Sequence, residues 1–144
     1  MSNALQDITT EQLSPDYVNK RIDDWIARVD ALYRMIEHWL PEGWTARRIE
    51  TVFMDEELMR KAGVGPRKLP VLSLSSPKEA VARIEPQGLW IIGANGRVDL
   101  RGRKGTFIIL DSADTFAKPE WRIAPISNRT RIKALDEESF RKAL

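Results

Sequence analysis

The 144-residue sequence contains no cysteine, and it contains a single histidine, His38. The absence of thiols excludes a disulfide scaffold, cysteine catalysis and a zinc or iron–sulfur centre held by cysteine. One histidine is too few for a zinc site within one chain, and any catalytic triad would have to use His38. This poor catalytic inventory predicts a protein that is not an enzyme and that uses no cofactor.

Long apolar runs are also missing. No run approaches the roughly 20 residues that a membrane-spanning helix needs. The first ten residues are polar and lack the basic and apolar regions of a signal peptide. These absences predict a cytoplasmic protein that does not bind a membrane.

The glycine-rich segment 63–68 follows a predicted helix, whereas a phosphate-binding loop joins a strand to a helix. This segment therefore does not indicate a phosphate-binding loop.

Charge is distributed unevenly along the chain. Residues 1–50 hold nine acidic and six basic side chains, whereas residues 101–144 hold six acidic and ten basic ones. Such asymmetry indicates either an acidic partner, such as nucleic acid, or an ordinary solvated surface.

The longest regular pattern predicts a helix over residues 14–40. Ser14 and Pro15 are typical of a helix start, and Pro41 disfavours the helical conformation of the residue before it. Apolar residues recur at alternating spacings of four and three, which gives a heptad seam. This helix seam packs either on the chain's own sheet or on the same helix of another chain, and its two bulky tryptophans favour the sheet. Its residues are Val18, Ile22, Trp25, Val29, Leu32, Ile36 and Trp39.

After Gly43 the pattern changes to short strands. The sequence therefore predicts an α+β fold, in which a long N-terminal helix packs on an antiparallel sheet of about six strands, with a short C-terminal helix. We expect a single domain over 1–144. Its predicted parts are an arm (1–13), the long helix (14–40), the sheet (44–135), a short helix within it (55–62, capped by Asp55) and the terminal helix (136–144).

Two strand predictions concern residues 79–101. Asn95-Gly96 is predicted to form a hairpin turn between strands 89–93 and 97–101, because both residues tolerate positive φ. Pro86-Gln87-Gly88 is predicted to end the strand before it. Residues 89–92 and 107–110 are apolar throughout, so both faces of the sheet should be covered there. A second copy of the chain is the simplest cover, which predicts a homo-oligomer, most simply a dimer.

Basic side chains form clusters that could contact phosphates. Arginines on a two-stranded ribbon can enter a groove or follow a nucleic-acid backbone. Arg47 and Arg48 form one cluster. The candidate nucleic-acid-binding residues of the other two clusters are Arg97, Arg101, Arg103 and Lys104 on the hairpin, and Arg129, Arg131 and Lys133 later in the chain.

One hairpin has acids at a recognisable spacing. The segments Gly96-Arg97-Val98-Asp99 and Phe107-Ile108-Ile109-Leu110-Asp111 resemble the central hairpin of RecB-like, restriction-type nucleases over about fifteen residues. The resemblance implies that Asp99 and Asp111 would bind a divalent metal. The lysine that this family places two residues later is replaced by Ala113, so the pattern is broken where its chemistry needs a cation.

These observations predict a non-enzymatic binding or accessory protein that contacts a macromolecular partner and self-associates through the helix seam. A nucleic-acid-binding module that uses the hairpin 97–104 is the first alternative. A metal-dependent nuclease that uses Asp99 and Asp111 is the second.

Overall fold

The computed structural model describes residues 13–144, so positions 1–12 of the predicted arm lie outside the described residues. The fold is α+β: an N-terminal helix packs on a seven-stranded antiparallel sheet, and a short helix follows at the C-terminal end. The elements are α1 (Pro15–Trp39), β1 (Thr45–Arg47), β2 (Thr51–Met54), α2 (Glu57–Lys61), β3 (Arg67–Pro70), β4 (Leu72–Ser75), β5 (Val81–Ile91), β6 (Ala94–Gly102), β7 (Gly105–Asp111), β8 (Trp121–Pro125), a 3-10 turn (Arg129–Arg131), β9 (Lys133–Ala134) and α3 (Glu137–Ala143).

Both ends of α1 are set by the residues that predicted them. The Ser14 hydroxyl accepts a hydrogen bond from the backbone N–H of Tyr17 at 3.2 Å, and Pro15 occupies the first turn. The helix ends at Trp39, because Leu40 precedes Pro41 and adopts an extended conformation. The predicted long helix is confirmed.

The helix seam lies inside the chain's own core. Its first six residues are at most 1% exposed and cluster with the apolar side chains of β4 to β8. The seventh, Trp39, is half-buried against Phe140 of α3, with 6.1 Å between ring centroids. The first six seam residues therefore have no surface left for a second copy, whereas Trp39 is only partly covered. Self-association itself stays a prediction without an assigned surface.

The sheet has the strand order β1-β4-β5-β6-β7-β8-β9, and every neighbouring pair is antiparallel. A separate ribbon pairs β2 with β3. The face of the sheet that carries the core is called here the inner face, and the opposite one the outer face. The described sheet thus has one strand more than the sequence suggested, with the ribbon beside it.

The β5–β6 hairpin differs from its prediction at two places. β5 continues through Pro86 and Gly88, because a register shift there accommodates a proline that cannot donate to the ladder. The turn lies at Ile92-Gly93, since Ile91 already pairs with Ala94. Asn95 and Gly96, the predicted turn, are residues of β6 instead.

Trp25 explains why glycine occupies position 96. Gly96 has φ +104°, and a Cβ atom placed on it would overlap the indole ring of Trp25. Two requirements therefore meet at this residue: a backbone conformation that favours glycine and the close approach of α1 to β6. The Asn-Gly pair indicated a special backbone correctly, but the cause is packing.

A buried ion pair fastens α1 to Asp111, the last residue of β7. Arg28 is 5% exposed and donates to the Asp111 carboxylate at 2.6 Å, and Asp111 is fully buried. The other carboxylate oxygen accepts hydrogen bonds from the backbone N–H groups of Ala113 (3.0 Å) and Glu120 (2.9 Å). Arg28 also pairs with Asp24 at 2.6 Å. The charges are thus compensated on both sides, as buried charges must be.

We predict that Asp111→Ala lowers the free energy of unfolding by about 3–5 kcal/mol, because it leaves the Arg28 guanidinium buried without its partner. Urea denaturation measures the loss. Asp114→Ala in the loop that follows β7, where the side chain is exposed, is the control and should change stability by less than about 0.5 kcal/mol. A loss below about 1 kcal/mol for Asp111→Ala would show that the pair behaves like a surface ion pair.

We predict that Gly96→Ala is more destabilising than Gly105→Ala. Both glycines have φ +104°, but space is open around Gly105. Gly105→Ala should therefore cost only backbone strain of about 1–3 kcal/mol, whereas Gly96→Ala adds about 1–3 kcal/mol of overpacking against Trp25. Equal losses in urea denaturation would contradict the proposed packing constraint.

Candidate functional site

Arginines from four strands share the outer face of the sheet. Side chains alternate between the two faces along each strand, and the pairing register fixes which residues lie side by side. The residues that share this surface, called the arginine face, are Arg47 of β1, Arg83 of β5, Arg97 and Arg101 of β6, and Arg122 of β8.

One row of the arginine face runs straight across five strands. Arg47 pairs with Ser73, Ser73 with Arg83, Arg83 with Arg101, and Arg101 with Thr106. Because neighbouring strands lie about 4.8 Å apart, this donor row is about 19 Å long. It contains three guanidinium groups and two hydroxyls, and no acid. The side chains of Arg83 and Arg101 are 43% and 56% exposed, so both heads reach solvent.

Carboxylates beside the donor row hold the guanidinium groups in place. Asp99 is 2% exposed and lies 2.8 Å from Arg97 and 3.7 Å from Arg101. Arg83 contacts Glu50 at 2.7 Å and Glu85 at 3.9 Å. Five guanidinium groups thus face three carboxylates, and the arginine face keeps a net positive charge.

The apolar strand β7 does not need a second chain to cover its outward residues. Ile108 and Ala124 point to the outer face, yet each is 1% exposed. Arg97, Arg101 and Arg122 occupy positions diagonal to Ile108, and Arg122 also lies two residues before Ala124 on the same face. Arginine stems can cover apolar surface while their heads stay in water. For residues 107–110, the observation that suggested a dimer thus has an explanation within one chain.

The two acids of the nuclease-like hairpin point to opposite faces of the sheet. Asp99 pairs with Ile108 on the outer face, and Asp111, three residues further along β7, faces α1. Asp99 forms an ion pair with Arg97, and Asp111 forms one with Arg28. Within residues 13–144 there is no group of three or more histidine or acidic side chains placed to hold a metal ion. This geometry gives the metal-site alternative no support.

The predicted basic clusters do not form one surface. Arg97 and Arg101 belong to the arginine face, and Arg103 is exposed in the turn that follows them. Lys104 instead donates to the carbonyl of Lys142 in α3 at 2.7 Å. Arg129, Arg131 and Lys133 lie at the β8–β9 edge, where Arg131 and Lys133 line a pocket beside α3.

The cluster of Arg47 and Arg48 also divides. Arg47 joins the donor row, whereas Arg48 contacts Asp30 (2.6 Å) and Glu37 (2.9 Å) of α1. The hydrogen bond from Arg48 lowers the pKa of the Asp30 carboxyl.

Sequence reasoning missed Arg83 and Arg122, although a signal for Arg83 was present. In Ala82-Arg83-Ile84-Glu85 apolar and polar residues alternate, which places Arg83 and Glu85 on the side away from the buried Ile84. A similar signal exists for Arg122, which lies between the buried Trp121 and Ile123, but only its pairing with Leu110 of β7 places it on the arginine face.

The groups with shifted pKa values have structural roles. Burial raises the pKa of Tyr33, whose hydroxyl donates to the carbonyl of Pro70 at 2.6 Å. Backbone and side-chain hydrogen bonds with Ser139 lower the pKa of Asp136, which caps α3. His38 is exposed in the last turn of α1. These groups lie at separate places in the fold and do not form a catalytic arrangement.

Glu56 joins α2 to the irregular part of β5. Its carboxylate accepts hydrogen bonds from the backbone N–H groups of Leu89 (3.0 Å) and Trp90 (3.1 Å). The N-cap residue of α2 is Glu56 and not the predicted Asp55. Its side chain makes no capping hydrogen bond to the helix and instead accepts hydrogen bonds from β5. Burial raises its pKa, although the two N–H groups oppose the shift.

Comparison of the chain with protein-family models, with curated proteins and with solved structures finds no match. None of the helices within residues 13–144 is long and apolar enough to span a membrane. What the arginine face can do therefore has to follow from its geometry and charge.

We predict that Glu56 makes the protein less stable as the pH rises from about 4.5, the ordinary pKa of a glutamate. Its pKa is higher in the folded than in the unfolded chain, so the folded state binds the proton more tightly. The stabilisation is complete below the unfolded pKa and is lost as the pH rises through the folded one. Denaturation of the wild type and of Glu56→Gln over this range measures the difference.

The expected result is that the wild type loses stability relative to Glu56→Gln as the pH rises. Glu57→Gln, which removes the exposed neighbouring carboxylate, is the control and should follow the wild type. If the difference between the wild type and Glu56→Gln does not depend on pH, burial does not perturb this group.

Proposed function

We propose that this chain is a non-enzymatic binding protein that holds nucleic acid by its phosphate backbone on the arginine face. The observation that carries the proposal is the donor row, which crosses five strands without an acid. Guanidinium groups bind phosphate with two parallel hydrogen bonds, and serine and threonine hydroxyls donate to phosphate as well.

The dimensions of the row suit a chain of phosphates. A row of about 19 Å is longer than any single phosphate group and covers the length of about five or six base steps of a duplex, which follow at about 3.4 Å along the axis. Donors that are partly or fully exposed line its length from β1 to β7. A single bound phosphate ion would need only one end of such a row, so an extended polyanion is the better match.

Arg83 and Arg101 lie directly opposite each other on β5 and β6. Like charges at directly opposed positions are destabilising in an antiparallel pair. Glu50, Glu85 and Asp99 relieve this repulsion only in part, because Arg101 is 3.7 Å from its nearest carboxylate. An anion bound between the two guanidinium groups would remove the repulsion, which favours binding over a purely structural role.

The composition of the face indicates how a nucleic acid would be recognised. Aromatic side chains on which bases stack do not occur at the outward positions within residues 45–47, 73–75, 81–85, 97–101, 106–110 and 122–124. Contacts would therefore go to the backbone. Binding of this kind tolerates many sequences and weakens steeply with salt, because it releases counterions.

We predict that labelled 20-nucleotide single strands and duplexes bind the full chain, with affinity that falls steeply as salt rises in fluorescence anisotropy titrations. Arg83→Glu combined with Arg101→Glu should weaken binding at least tenfold. It should also reduce the slope of log K against log salt by about two, one for each lost phosphate contact.

The matched control is Arg34→Glu combined with Arg60→Glu, which changes the net charge equally at exposed positions outside the arginine face. It should keep most of the affinity. Equal losses in both double variants would show that net charge alone drives binding, and no binding at low salt would overturn the proposal. Glu85→Gln should strengthen binding, since it removes a carboxylate next to the donor row.

A further inference from the structure

A pocket of about 260 Å³ lies between α3 and the ends of β7 and β8. We call it the α3 pocket. Phe107 and Ile123 belong to the inner face, so the pocket opens on the side of the sheet opposite to the arginine face.

The floor of the α3 pocket is apolar. Ile123 and Ala143 are 1% and 3% exposed, and Phe107 is half-buried beside them. Pro125 completes this surface. The floor would contact a ring or a short alkyl chain of a ligand, and burying that apolar part is favourable.

The rim of the α3 pocket is basic. Its charged lining residues are Arg131, Lys133 and Lys142, and no acid lines it. Lys142 forms an ion pair with Glu138 at 2.9 Å, but both side chains are more than 60% exposed. Exposed pairs of this kind contribute little, so Lys142 can turn to a ligand at small cost.

Ser139 cannot supply the recognition of a neutral ligand. Its hydroxyl accepts from the N–H of Asp136 and donates to the carbonyl of Ala134, both at 2.9 Å. The polar groups left for a ligand are the three cations. An apolar floor under a cationic rim fits a molecule with the same two parts.

We propose that the α3 pocket binds a small organic anion: a carboxylate or phosphate monoester attached to one aromatic ring or a short alkyl chain. The pocket volume lies just below roughly 300 Å³, the lower limit of common ligand pockets. This volume limits the apolar part of the ligand to about one ring. This site is separate from the arginine face and does not depend on the proposed nucleic-acid binding.

The test is an NMR titration of the ¹⁵N-labelled full chain with four probes. Phenyl phosphate and 3-phenylpropanoate carry both parts of the proposed ligand, 3-phenylpropan-1-ol lacks the charge, and inorganic phosphate lacks the ring. We expect the two organic anions to shift the amide signals of Phe107, Lys133 and Ala143. The other two probes should bind at least tenfold more weakly.

Charge reversal locates the site. Arg131→Glu combined with Lys133→Glu should weaken both organic anions at least tenfold. Arg129→Glu combined with Lys118→Glu changes the net charge equally at exposed positions that do not line the pocket, and it should keep the affinity. Arg83→Glu combined with Arg101→Glu should also keep it, which separates this test from the nucleic-acid one.

Any of four results would overturn the proposal. If 3-phenylpropan-1-ol binds as tightly as the organic anions, the cations play no part in binding. If inorganic phosphate binds as tightly as the organic anions, the apolar floor plays no part. Shifts confined to another surface, or unchanged affinity in Arg131→Glu with Lys133→Glu, would place the binding elsewhere. All variants alter exposed side chains, so thermal melting should confirm that each is folded.

Discussion

Burial of the helix seam on the inner face is the constraint on which the rest of the structure depends. A single helix supplies much of the apolar surface that faces the sheet, and it approaches β6 so closely that Trp25 leaves room only for glycine at position 96. The Arg28–Asp111 pair then fixes the direction of the helix against the end of β7. Because α1 packs on the inner face, the outer face is left to carry charged side chains.

Periodicity predicted the helix and the fold class because both depend on local signals. Ser14, Pro15 and Pro41 set the limits of the helix through neighbouring backbone groups, and its seam has to be buried somewhere. The β5–β6 turn was predicted wrongly because Asn95-Gly96 has the composition of a turn, while the need for glycine arises from Trp25, seventy residues earlier. No local pattern contains that contact. The proline at position 86 likewise indicated the end of a strand, and the structure accommodates it with a register shift.

Only the part of the candidate site that depends on local signals could be predicted from the sequence. Arg97 and Arg101 stand out because they alternate with Val98 and Leu100 along one strand. The donor row, in contrast, runs perpendicular to the strands, and its members come from residues 47 to 106. Such a row can be identified only once the strand order and the pairing register are known. The same holds for the α3 pocket, which brings Phe107 next to Lys142 across a strand and a helix.

The two edges of the sheet are its shortest strands, β1 with three residues and β9 with two. Long, flat edges invite another chain to extend the sheet, and short ones limit this kind of growth. A second copy would therefore find few backbone groups to pair with at either end. The short edge strands therefore disfavour the edge-to-edge addition of further copies into a fibre. The longer central strands can carry a charged face without exposing unpaired backbone groups to another chain.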